Sequence, residues 1–399
     1  MSIKSNAAFH QKTIALDGDT LGRKRTGDET YLVGLMHGLG RLNAGPNFPV
    51  YVRDVESVAG PFRKHGCFDF RPVRPKSIWL RHPIGFPMAL NRDKPDLLHV
   101  QYFVPPFAPC PVVLTVHDIS FAVHPEFFTA RDRLLLGTLV PWSLKKAARV
   151  ITDAEHTKED LVRVYKVPSE KIDLIPLAVE PRFCTLDRSA CIREVAKRHS
   201  LGDSPYVLYV GTLQPRKNVK MLIDAYTMMR RKTGIGHKLL MIGKPKYRFA
   251  PVFDAIKASG FENDILFTGF VTDDDLPMYY NAAEVFVFPS RYEGFGLPVL
   301  EAFGCGTPVI TTTSSSLPEV AGDAAVLVDP YDTEALADAM ENVLGNEKLR
   351  TKLRADGLAR AAEFSWERTA RMTMDVYERV LTESVGRKAN RSAALSRSS

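Results

Sequence analysis

The chain has 399 residues, 45% hydrophobic and 25% charged, with a formal net charge of +7. That composition excludes a disordered or fibrous chain, and the length exceeds what one core normally holds, so two domains are expected. No apolar run approaches the ~18 residues of a bilayer span, and the first residues lack the apolar core of a signal peptide. The five cysteines, Cys67, Cys110, Cys184, Cys191 and Cys305, form no CxxC pair, which suits a reducing cytoplasm better than a disulfide framework. The positive charge admits nucleic acid, an anionic membrane face or anionic ligands. Without zinc spacing, an RNP-like motif or a helix-turn-helix pattern, no nucleic-acid partner is expected.

In the first half, strands are predicted at 13–17, 48–52, 97–100, 112–116 and 149–152. Tyr31, Leu32, Leu35, Met36, Leu39 and Leu42 make one stripe at helical period. The loop before that helix holds Gly22 and Gly27 among Arg23, Lys24 and Arg25. By itself it reads as a plain flexible loop ahead of a capped helix. Residues 61–94 interleave Arg63, Lys64, Arg71, Arg74, Lys76, Arg81, Arg92 and Lys94 with Phe62, Phe68, Phe70, Trp79 and Phe86. Such a mixture can meet lipid headgroups or a lipid-linked acceptor, although a solvated loop with a local apolar anchor is the favoured reading. The β-branched run at 111–116 leads straight into His117-Asp118. An isolated histidine there would ordinarily bond to nearby backbone.

The second half alternates strands at 206–210, 238–242, 265–268, 284–288, 309–311 and 325–328 with helical stretches, which predicts a parallel doubly wound sheet. A linker is expected at 200–205. The strand at 206–210 runs into Gly211-Thr212, and Arg216-Lys217-Asn218 follows. Those cations stand at the C-terminal edge of a strand, where open α/β sheets place their ligands. Arginine can grip phosphate oxygens with two N–H groups, and lysine acts as a point charge. The chain leaves another strand at Gly269-Phe270-Val271. The acidic run Asp273-Asp274-Asp275 fits a helix cap and first turn rather than a metal site, and no other cluster suggests a metal. The strand at 284–288 then gives way to Arg291-Tyr292-Glu293-Gly294-Phe295-Gly296-Leu297-Pro298, with Glu301 eight residues after Glu293. Proline suits the first helical turn, and the free N–H groups and dipole of a helix start suit phosphate or sugar oxygens. A helical pattern runs from 366 to about 384, and the basic tail 387–399 reads as disordered.

Three motifs in this order, His117-Asp118, Val210-Gly211 through Arg216-Lys217-Asn218, and Glu293 through Glu301, resemble the retaining GT-B glycosyltransferases of family GT4, also called glycosyl transferases group 1. The chain is similar overall to bacterial polysaccharide mannosyltransferases. The resemblance implies an α/β fold with two Rossmann-like doubly wound parallel-sheet domains facing across a cleft. It implies an acceptor domain at 10–200, a donor domain at 201–365, and a helix at 366–386 crossing back to the first. The activity implied is metal-independent transfer of a hexose, with a lean to mannose, from a GDP- or UDP-linked donor with retention. No cofactor is implied beyond that co-substrate.

The acceptor implied is a glycan or lipid-linked, and peripheral contact with an anionic inner membrane face stays open. The roles carried over are catalytic for His117, Arg216, Lys217 and Glu293. Donor binding is carried over for Gly211, Thr212, Gly269, Val271, Phe295, Gly296, Leu297 and Glu301. Gly22 and Gly27 stand in the possible phosphate or acceptor loop. Three departures blur fine specificity: the 26–31 loop lacks the Gly-x-Gly form, Ala154 replaces a serine, and the 175–180 turn lacks Asn-Gly. An epimerase or phosphorylase on the same fold, or a non-catalytic binding protein, stays open. A Rossmann dehydrogenase is disfavoured because no G-x-G-x-x-G follows a strand.

Overall fold

A computed structural model describes residues 7–22, 27–42, 45–77, 80–202, 204–243 and 250–396. The chain forms two compact units, one of Met1–Val123, Phe128–Leu177 and Ser365–Ser399, the other of His124–Phe127 and Ala178–Phe364.

The first unit is built on seven strands: β1 (Ile14–Asp17), β2 (Phe48–Val52), β3 (Phe68–Pro72), β4 (Leu97–Gln101), β5 (Val112–Thr115), β6 (Arg149–Thr152) and β7 (Ile172–Leu174). They lie in the order β3-β2-β1-β4-β5-β6-β7. Every pairing is parallel. β1, β2 and β5 are buried at every position, as strands covered by helices on both faces must be, and this made them legible as apolar runs. β3 and β7 were not expected. β3 is an edge strand whose polar Asp69 and Arg71 break any apolar run, and β7 has three residues.

The helix Gly27–Leu42 packs on the long helix Trp366–Ser396. A Cβ at Gly34 would lie 2.1 Å from the Trp366 indole, so only glycine lets these helices approach this closely. Thr369 Oγ1 donates to the Pro176 carbonyl at 2.7 Å, and the Tyr377 hydroxyl lies 2.5 Å from His99 Nδ1. The C-terminal helix therefore belongs to the first unit. It continues to Ser396, where disorder had been expected from 387; residues 397–399 lie outside the described residues.

The aromatic residues of 61–94 anchor the edge of this sheet. Phe62 and Phe86 are buried, and the Phe62 ring meets Phe68 and Phe70, both at 6.0 Å. Arg81 is wholly buried and donates to Asp17 Oδ1 at 2.8 Å and to the Tyr51 carbonyl at 2.9 Å. Trp79 lies outside the described residues.

The second unit carries β8 (Tyr206–Val210), β9 (Lys238–Ile242), β10 (Ile265–Gly269), β11 (Val285–Phe288), β12 (Val309–Thr312) and β13 (Val326–Val328). Their order is β10-β9-β8-β11-β12-β13, again all parallel. Residues 178–200, read from sequence as the end of the first domain, pack here instead. The helix Arg188–His199 lies on Leu276–Ala282, with Arg188 paired to Glu284 at 2.8 Å and His199 Nε2 lying 2.9 Å from the Tyr279 hydroxyl. Those long-range pairs have no sequence signature. Among the described residues no helix is long and apolar enough to cross a membrane.

Candidate active site

In a doubly wound sheet the strand order reverses at one point, and the loops leaving the strands there diverge to form a crevice. In the second unit that point lies between β8 and β11, which pair side by side. Arg216 and Lys217 follow β8, and Glu293 follows β11. The three meet: Arg216 Nη1 lies 2.8 Å from Glu293 Oε2, and Lys217 Nζ lies 2.6 Å from Glu293 Oε1. Lys217 and Glu293 are buried, and the Lys217 ammonium sits 4.6 Å from the centroid of Phe288. Burial alone would raise the Glu293 carboxyl, but Arg216 and Lys217 outweigh it and hold it down to about 2. The trio is therefore two cations around one ionised carboxylate, a net positive cluster held in place before any ligand arrives.

The loop carrying Glu293 is fastened by a run of hydroxyls that sequence reasoning passed over. Thr311 Oγ1 donates to the Phe288 carbonyl at 2.8 Å and Thr312 Oγ1 to the Ser290 carbonyl at 2.7 Å. Ser314 Oγ donates to the Arg291 carbonyl. Ser315 Oγ accepts from the Glu293 N–H at 2.8 Å. Ser316 Oγ reaches the carbonyls of Glu293 and Phe295, both at 2.9 Å. The signal was present in Thr311-Thr312-Thr313-Ser314-Ser315-Ser316. β12 pairs with β11, so the segment leaving β12 must run beside the segment leaving β11. On the other side, Arg216 Nη1 donates to the Tyr292 carbonyl at 2.8 Å, and the Arg291 N–H to the Arg216 carbonyl at 2.8 Å. One backbone hydrogen bond and one guanidinium–carbonyl bond thus join the two motif loops alongside the ion pairs.

Gly296 has φ +109°, and a Cβ there would lie 2.8 Å from Leu317 Cδ2. Glycine is required for the turn that starts the helix Leu297–Gly304. Phe295 packs its ring against Phe364, 5.9 Å between centroids, so its side chain is structural. Glu301, inside that helix, accepts from the Tyr280 hydroxyl at 3.0 Å. Burial raises the Tyr280 phenol well above its ordinary value, so it stays protonated and donates. Tyr280 was not anticipated. Gly211 follows β8 directly, and its N–H donates to the Ile242 carbonyl at 2.9 Å; Thr212 offers its carbonyl to the Tyr209 hydroxyl at 3.3 Å. Gly269 ends β10 with φ +71°, and Val271 follows it half-buried. The acidic run 273–275 forms a turn in which the Asp275 N–H donates to Thr272 Oγ1 at 3.3 Å, and Asp274 pairs with Arg182 at 2.8 Å. Among the described residues no group of three or more His, Cys, Asp or Glu is placed to hold a metal.

In the first unit, His117 lies two residues beyond β5 and Asp153 one residue beyond β6. The register Thr115↔Ile151 carries forward to set them side by side, with Nδ1 2.6 Å from Asp153 Oδ2. Gln101, at the end of β4, brings Oε1 to 2.8 Å from Nε2. Sequence reading selected His117 and missed both partners, because only the sheet register joins them. Gly22, at φ +78°, donates its N–H to Glu29 Oε1 at 2.6 Å, tying the loop end to the helix that Gly27 begins. Residues 23–26 between them lie outside the described residues.

The paired doubly wound sheets define a glycosyltransferase fold of the GT-B class. Family profiles match on both halves: Glycosyltransferase Family 4 over residues 26–183 and Glycosyl transferases group 1 over residues 192–360. The chain is similar to O-antigen chain mannosyltransferase B of Escherichia coli, 33% identical over 309 residues that cover 77% of this chain and 81% of that protein. The chain belongs to glycosyltransferase family 4. It is also 31% identical over 243 residues to the serotype-specific mannosyltransferase WbdA of Escherichia coli, covering 60% of this chain but 30% of that longer protein. Among solved structures, sucrose-phosphate synthase from Thermosynechococcus elongatus matches in fold with a TM-score of 0.75 at 21% identity, covering 94% of this chain and all of that one. WaaG, a glycosyltransferase involved in lipopolysaccharide biosynthesis, matches with a TM-score of 0.70 at 16% identity over 91% of this chain and 99% of its own.

Proposed function

We propose that this glycosyltransferase moves mannose from a nucleotide-sugar donor, GDP- or UDP-linked, to a glycan or lipid-linked acceptor with retention of anomeric configuration and without a metal. The observation that carries this reading is the meeting of Arg216, Lys217 and Glu293 at the switch point of the second sheet. Breaking the anomeric C–O bond leaves negative charge on the departing diphosphate. Arg216, Lys217 and the helix start at 295–297 are the groups that take it up, already oriented in a water-poor setting. As the diphosphate enters, the two cations exchange part of their interaction with Glu293 for phosphate oxygens. Glu293 then turns to the donor sugar and stabilises oxocarbenium-like charge. Glu301 binds the ribose hydroxyls, with Gly211 and Thr212 beside the phosphates and the backbone at Gly269 and Val271 against the base. His117 contacts the sugar. The lean to mannose rests on the names of the similar E. coli proteins.

Contact with an anionic membrane face is part of the proposal. It would run through the helix Ala130–Lys146, where Leu134, Leu139 and Trp142 are exposed beside Lys145 and Lys146. Cosedimentation with phosphatidylglycerol vesicles, set against phosphatidylcholine, tests that contact.

The decisive experiment for the reaction is a thermal-shift screen of GDP-, UDP-, ADP- and dTDP-sugars, because a bound donor raises the melting point. Transfer assays with the stabilising donor follow, with product anomers assigned by NMR. Stabilisation by one donor and a retained anomer are expected. No stabilisation by any donor, or an inverted product, ends the proposal.

A further inference from the structure

The sugar contact proposed for His117 leaves unexplained the partners that hold its ring. His117 has an acceptor on each ring nitrogen: the Asp153 carboxylate on Nδ1 at 2.6 Å and the Gln101 carbonyl oxygen on Nε2 at 2.8 Å. The Gln101 amide stands with its nitrogen toward Thr20 Oγ1 at 3.4 Å and its carbonyl oxygen toward the imidazole. A neutral imidazole has one N–H and one lone pair. Two acceptors call for two N–H groups, and only the imidazolium supplies both. His99, equally buried, makes the contrast: its nitrogens face the hydroxyls of Tyr377 and Thr115, which can donate or accept, and burial pulls it down to about 3.

Asp153 is 1% exposed, and its Oδ1 has no hydrogen-bond partner among the described residues. A buried carboxylate with one partner is a poor device for stability, because its desolvation is hardly repaid. Its worth lies in what it does to the ring. The rings of Tyr31 and Tyr102 stand nearly edge-on to His117 at 4.8 and 5.7 Å, and Asp28 and Asp118 add their negative field. Burial opposes the charge on His117, yet the Asp153 carboxylate and hydrogen bond lift the imidazole to about 9. The cation therefore persists through neutral pH and is lost as pH rises through about 9. Any stability it contributes is full below the unfolded value and fades over the same interval.

We propose that Asp153 is a positioning residue that keeps His117 as a cation with its Nε2–H aimed outward, and that the Gln101 carbonyl occupies the place of an oxygen of the donor sugar. This rests on the sugar-transfer reading above. On donor binding, Nε2–H would exchange the amide oxygen for a sugar oxygen and so present a fixed positive donor to the substrate.

The test begins with NMR titration of the histidine imidazoles in the full chain without substrate, wild type against Asp153→Asn, with His117→Gln to assign the signal. The His117 midpoint is expected near 9 in the wild type and below about 6.5 in Asp153→Asn. In transfer assays, Asp153→Asn should lower kcat about 10- to 100-fold. The alkaline limb of its pH profile should be displaced, Asp153→Glu should recover part of the rate, and the melting point should hold or rise. A wild-type His117 that is neutral at pH 7, or an Asp153→Asn enzyme with unchanged kcat and pH profile, overturns the inference. So does a lowered melting point with no recovery in Asp153→Glu, which marks a structural role. Because the titration needs no substrate, a shifted midpoint in a chain that transfers no sugar defeats the proposed reaction and leaves the charge on His117 standing.

Discussion

The two sheets share a topology and differ in what they place at their carboxyl edges. In the second unit, two cations close on Glu293 from one neighbouring loop, and hydroxyls from a third loop fasten the carboxylate's backbone. In the first, one imidazole is held between a carboxylate and an amide, with aromatic rings around it. The second edge concentrates charge and suits an anion; the first offers a single directed N–H and suits an oxygen of defined position. A shared fold thus supplies the location for a ligand, and loop residues decide its chemistry.

If charge concentration is the business of the second edge, Lys217→Ala should have the largest effect. A loss of kcat/KM of about 100- to 1,000-fold is expected. Because Lys217 is buried against Glu293, a melting-point drop measurable by calorimetry is expected as well, since a buried carboxylate loses a partner. Near-normal turnover in the purified variant would remove Lys217 from the reaction.

Glu301→Ala should act on binding rather than on chemistry. Calorimetric titration should show nucleoside diphosphate affinity weakened about tenfold, the size of a hydrogen bond to a charged group. Tyr280→Phe, which frees Glu301 from its phenol donor, should weaken it about threefold to fivefold. Unchanged affinity in both variants would detach Glu301 from the nucleotide.

Ser316→Ala tests the fastening itself. It removes the single hydroxyl donor that the Glu293 and Phe295 carbonyls share, so about a 5- to 10-fold fall in kcat is expected with donor KM little changed. A variant that loses affinity and not rate would show that the serine run serves binding alone.

The smallest effect lies in acid. Glu293 is held at about 2 when folded, against about 4.3 in an unfolded chain. Its stabilisation is present above the unfolded value and is lost as pH falls toward about 2. Melting curves taken between these limits should fall more steeply for the wild type than for Glu293→Gln, and parallel curves would contradict the ion-paired state.

Motifs whose parts lie close in sequence, or whose two halves each follow an apolar strand, were legible: Arg216-Lys217, the Glu293 to Glu301 segment, and the alternation of strand and helix. Buried parallel strands must be apolar along their whole length, so most declared themselves, while the half-exposed β3 and the three-residue β7 did not. For 61–94 the sequence favoured a solvated loop with a local apolar anchor; Phe62 and Phe86 are buried as such an anchor requires, while nothing in the sequence separates Arg81, buried on Asp17, from a solvated arginine.

By itself the sequence determined the parallel α/β architecture, the two glutamates, the Arg-Lys pair and the histidine, since each depends on local periodicity or on a short spacing. Tertiary structure alone decided that Glu293 bridges both cations, that five of the six hydroxyls at 311–316 hold β11 and the loop that follows it, that Tyr280 donates to Glu301, and that Asp153 and Gln101 flank His117. These contacts join residues well separated in the chain, and only the register of the assembled sheet and the packing of the helices on it bring them within hydrogen-bonding reach.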